Sequence, residues 1–268
     1  MRREVPTHPF RAAVLGVFLC TIPVAGGPAP DTNAWQTVKM EHFVVLHRGN
    51  QAFAERMGKR AEELFGRIMR DLGYLQHDRF WLWDNRCTIR IHQNAEAFRQ
   101  SVRAPEWAAG CADPAKREIA TFEGSDAFVE RVLPHELTHL VFREFVGFKG
   151  EIPLWLNEGV AVWEGARLSG RRLFSGGVES PVPLAALMAP DMRTAGATVA
   201  SNVYAQAAAV VGFIIERGGA EKFSTFCRQL RDGKTVDDAL RFTYGPAMGN
   251  IEALERVLRT DREEKQKR

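Results

Sequence analysis

The sequence predicts an α+β fold, a small mixed β-sheet with its helices followed by a mainly helical half. Three observations carry this: short extended runs among helical ones before residue 125, near-continuous helical periodicity after residue 126, and the helix-starting Ser125-Asp126 at the joint. The 268 residues suffice for one domain of two lobes, and 45% hydrophobic content is ordinary for a packed core. Residues 27–125 are read as the sheet half, 126–260 as the helical half and 261–268 as a charged tail, with an active-site cleft expected between the halves.

Residues 1–26 stand apart. Arg2, Arg3 and Arg11 precede an apolar run from Ala12 to Ala25, the layout of a secretory signal peptide. The run is shorter than the roughly 20 residues that span a bilayer, and Val24-Ala25-Gly26 offers small residues for cleavage. The expectation is an exported protein, periplasmic or secreted, without stable membrane insertion after cleavage; an uncleaved N-terminal anchor is the alternative. Cleavage removes three Arg and one Glu, taking the formal charge from +3 to +1. A near-neutral chain without a basic cluster lacks the footprint of a nucleic-acid binder.

In the sheet half, 41–47 reads as a strand and 50–73 as a helix, with Phe53, Met57, Ala61, Leu64, Phe65, Ile68, Met69 and Leu72 forming one apolar stripe that ends at Gly73. Strands follow at 86–92 and 117–123, with a short helix at 95–102 between them. Trp81 and Trp83 suit either carbohydrate stacking or packing at a strand start. Cys87, Cys111 and Cys227 form no C-x-x-C pair; a Cys87–Cys111 bridge and buried free thiols are both open. The helical half holds helices near 126–146, 153–168, 201–217, 220–232, 235–243 and 249–259, and the Gly/Pro-rich stretch 169–200 is the expected mobile loop.

Chemistry concentrates in His135-Glu136-Leu137-Thr138-His139. Residues four apart on a helix differ by about 40° of rotation and about 6 Å of rise, so the two imidazoles can share one ion while Glu136 stands beside it. Two satisfied histidines on an ordinary helix are the alternative. Pro134 means that the helix either begins there or bends there. After a turn carrying Gly147, Gly150 and Pro153, residues 154–167 read as a helix returning antiparallel, which brings Glu158 back as the natural third ligand.

His-Glu-x-x-His, eighteen intervening residues and then Trp155-Leu156-Asn157-Glu158-Gly159 resemble the gluzincin metallopeptidases, most of all the peptidase-MA-like domains. The resemblance covers about 126–168 and extends weakly to 204–219. It implies a zincin-like fold, one Zn2+ per chain on His135, His139 and Glu158, Glu136 as general base, and a peptide or protein substrate. Related gluzincins supply a downstream donor for the developing oxyanion; Tyr204 is the best placed here, Tyr244 the second choice, and a core tyrosine the plain alternative. The resemblance also implies that strand 117–123 is an edge that pairs with substrate. Glu164 is a candidate hydrogen-bond partner for a ligating histidine, or a surface carboxylate. No Gly-Ala-Met-Glu-Asn segment precedes the metal helix, so aminopeptidase specificity does not carry over. The rival reading is a non-catalytic, metal-stabilised binding domain of the cell envelope.

Overall fold

The computed structural model describes residues 34–75, 80–106, 108–148, 151–171, 181–188 and 197–267. The expected signal segment and, within the expected loop, residues 172–180 and 189–196 lie outside the described residues.

Among the described residues five strands form one mixed sheet: β1 (Gln36–Lys39), β2 (Phe43–His47), β3 (Cys87–His92), β4 (Gly110–Asp113) and β5 (Glu118–Phe122), in the spatial order β1-β2-β3-β5-β4. The three inner strands β2, β3 and β5 run parallel, with Val45 opposite Ile89 and Ile89 opposite Ile119; β1 and β4 are antiparallel edges. The strand at 117–123 is therefore not the edge expected from sequence. It is paired on both sides, and β4 takes the outer position with Cys111 opposite Ala120.

Side chains alternate across each strand, so the sheet has two apolar faces. Phe43, Val45, Cys87, Ile89, Ile91, Ala112 and Ile119 join the main core under α1 (Gln51–Asp71). Phe98, Val102, Ala108, Cys111 and Ala120 form a separate cluster under α2 (Ala95–Val102) on the opposite face. This rules out a Cys87–Cys111 disulfide, because the thiols point to opposite faces, and both are buried. Asn50 caps α1 by accepting the Phe53 N–H at 3.0 Å, and Gly73, at φ +75°, lets the chain leave it.

A π-helical turn at Phe128–Val132 leads into α3 (Leu133–Val146). Pro134 lies in the first turn of α3 and brings no N–H; the wide turn before it absorbs the mismatch, its last donor running from Leu133 N–H to the Phe128 carbonyl. Both halves of the expected ambiguity are thus resolved as a helix start preceded by a π turn. Arg117, at the start of β5, grips Glu144 of α3 with two hydrogen bonds of 2.7 and 3.2 Å and fixes α3 to the sheet. Helix α4 (Leu154–Leu168) returns against α3.

The expected helices at 201–217 and 220–232 belong to one run, α5 (Ala197–Arg231), broken by non-helical Gly219 at φ +77°. α6 (Val236–Tyr244) and α7 (Ile251–Gln266) complete the helical half, and α7 carries most of the charged tail as a solvated helix end. Part of the expected loop is built into the body. Leu184 and Leu187 are buried, and the Gln206 amide holds both backbone polar groups of Val182, at 3.0 Å to its N–H and 2.6 Å to its carbonyl. With prolines on either side, Val182 has the only N–H that Pro181-Val182-Pro183 can offer.

Candidate metal centre

One turn separates His135 from His139 on α3, and their Nε2 atoms lie 3.1 Å apart with the rings nearly perpendicular at 87°. The spacing puts both imidazoles on the buried side of the helix. The His135 ring also meets the backbone carbonyl of Ala161 on α4, which favours its protonated form. This is the outer partner that a ligating histidine requires, and a main-chain group supplies it.

Glu158, in the first turns of α4, closes the group. Its Oε2 stands 3.5 Å from His139 Nε2 and has no hydrogen-bond partner among the described residues, while Oε1 accepts from Asn157 Nδ2 at 3.3 Å. Two glycines on α4 permit this approach. A methyl group at Gly165 would stand 3.1 Å from His135 Cβ, and one at Gly159 would stand 2.5 Å from the Ala207 carbonyl oxygen of α5.

Electrostatics separate the four buried groups. Burial, reinforced by His139, lowers His135 to about 3. For His139 and Glu158 burial opposes charge, yet their mutual attraction outweighs it, holding the imidazole above and the carboxylate below their ordinary values. Glu136 is pushed up to about 7 by burial, against the pull of His139 and of the Ala112 N–H that it accepts from β4. The general-base candidate therefore touches the outer strand of the sheet half.

The donor set fits a zinc ion. One ligand atom each from His135, His139 and Glu158 lies within 4.8 Å of the others, all three residues are buried, and the bare Glu158 Oε2 is a polar atom left for a cation. These residues could hold a metal while leaving a fourth position open.

The supporting candidates divide. Tyr204, near the start of α5, is raised to about 12 by burial and then by the charge of Glu158, so the structure brings it to the site's surroundings. Tyr244 packs instead against Phe226, Cys227 and Gly218, away from the ligands. Glu164 is neither a histidine partner nor a surface carboxylate. It is fully buried and bound to Arg167 Nη1 at 2.9 Å, and that nitrogen also reaches Asp71 Oδ2 of α1 at 3.0 Å. Trp81 packs on Phe43 and Phe65 as the packing alternative requires, whereas Trp83 is 78% exposed. Sequence reasoning missed β4 and its Ala112 N–H, and also the Ala161 carbonyl; no side chain signals either, because any residue type can supply a backbone group.

The peptidase MA superfamily profile matches residues 77–260, and no curated protein matches the sequence.

Proposed function

Because the chain belongs to the peptidase MA superfamily, with its metallopeptidase-like fold, we propose that it is a zinc-dependent peptidase of gluzincin type, with Glu136 as general base and peptides or proteins as substrates. The observation that carries this reading is the convergence of three buried ligand atoms within 4.8 Å, beside a buried carboxylate that also reaches the outer strand. His135, His139 and Glu158 hold one zinc ion, which supplies Lewis acidity toward a carbonyl oxygen and makes water more acidic.

Glu136 accepts a proton from the attacking water as its oxygen bonds to the scissile carbonyl carbon. It then passes that proton to the leaving amine as the C–N bond breaks, giving a carboxylic acid and an amine. Tyr204 donates toward the carbonyl oxygen as negative charge grows there; burial keeps its hydroxyl protonated at neutral pH. A substrate main chain lies along β4, the edge strand of the sheet nearest the base, which brings the scissile bond toward Glu136 through Ala112.

The test is cleavage of a mixed peptide library by the zinc-loaded protein beside Glu136→Gln, read by mass spectrometry. Loss of about 10²-fold or more in turnover, with zinc retained, is expected of the variant. Near-parental turnover by Glu136→Gln would contradict the mechanism. A zinc-bound parent that cleaves nothing would favour the non-catalytic binding domain.

A further inference from the structure

The two oxygens of Glu158 are not equivalent. Oε1 accepts from Asn157 Nδ2 at 3.3 Å, while Oε2 is buried without a hydrogen-bond partner among the described residues and faces His139 Nε2 at 3.5 Å. Among the described residues Asn157 is the one donor to Oε1. Asn157 itself is anchored in the opening turn of α4, where its N–H reaches the Pro153 carbonyl at 3.1 Å.

We infer that Asn157 fixes Glu158 as a ligand through one oxygen, and so sets how many positions around the ion remain for water and substrate. This rests on the zinc reading of the site. A carboxylate free to rotate can bind through both oxygens and fill two positions, whereas a hydrolytic zinc centre uses three protein ligand atoms and keeps a place open. The amide donor on Oε1 engages that oxygen and holds the carboxylate plane, leaving Oε2 alone for the metal. The other end of the same amide agrees with this role. Asn157 Oδ1 is buried with no partner among the described residues, a costly arrangement that stability alone does not favour. Asn157 is thus a positioning residue that acts through Glu158.

The experiment measures zinc affinity by chelator competition, and the visible spectrum of the cobalt-substituted protein, for the parent, Asn157→Leu and Asn157→Ala. Leu preserves bulk without a donor, and Ala serves if Leu does not fold; circular dichroism with and without chelator checks the fold. Zinc affinity is expected to fall by about 10–100-fold, and the cobalt absorption to weaken as Glu158 binds through both oxygens and coordination number rises. Tight zinc binding by the parent with unchanged affinity in the variants would overturn the inference alone. So would a fall in affinity with an unchanged cobalt spectrum, since Asn157 would then support the site without setting how Glu158 binds. No zinc on the parent would remove the zinc reading and this inference with it.

Discussion

Helix α4 carries two buried carboxylates six residues apart, Glu158 and Glu164, and each is followed by a glycine. The first pair holds charge at the candidate metal centre. Glu158 stays ionised because His139 outweighs the cost of burial, and Gly159 lets α5 close there. The second pair does the opposite. Burial, reinforced by Asp71, pushes Glu164 up to about 8 despite Arg167, so that at neutral pH it holds a proton. Burial is common to both pairs, and the partner decides the charge.

The glycines give the strongest way to break this contrast. Gly159→Ala drives a methyl group into the Ala207 carbonyl at 2.5 Å, an overpacking that costs about 1–3 kcal/mol, against which better helix propensity returns about 1 kcal/mol. Gly165→Ala meets His135 at 3.1 Å or more, which a shift of a few tenths of an ångström relieves. Thermal melts should therefore show a clear loss for Gly159→Ala and little change for Gly165→Ala, with weaker zinc binding in both. Equal melting temperatures for the two variants would mean that α4 is not seated through these contacts.

A smaller effect separates the carboxylates by pH. Glu164 has its folded value raised from 4.5 to about 8, so between those values the folded chain keeps a proton that the unfolded chain releases. Its contribution to stability is fully present below the lower value and is lost as pH rises toward the upper one. Glu164→Gln cannot ionise, and its denaturation midpoint should fall less between about pH 5 and about pH 8 than the parent's. Parallel pH profiles would show that Glu164 titrates normally.

Most of the candidate site was legible because its spacing is helical. His135 and His139 had to share a face, and an antiparallel return had to bring Glu158 back. Glu164 was misjudged, although the same geometry turns a residue six positions on by about 240°, away from the Glu158 face. Strands β2, β3 and β5 announced themselves through apolar and β-branched runs, but Gly110-Cys111-Ala112-Asp113 has no β-branched residue. Its strand identity comes from pairing with β5 and from Gly110, where any side chain would collide with the Phe128 ring. The disulfide question turned on which sheet face each thiol occupies, and that depends on register between strands distant in sequence.

Zinc per chain, measured by elemental analysis of the purified protein beside Glu158→Ala, tests the central claim most directly. One zinc in the parent, with affinity lowered by more than about 100-fold in the variant, is the predicted result, since losing a ligand should exceed the effect of losing an outer partner. A folded parent grown with the metal that carries none, or a variant that retains zinc as tightly as the parent, would contradict the three-ligand centre.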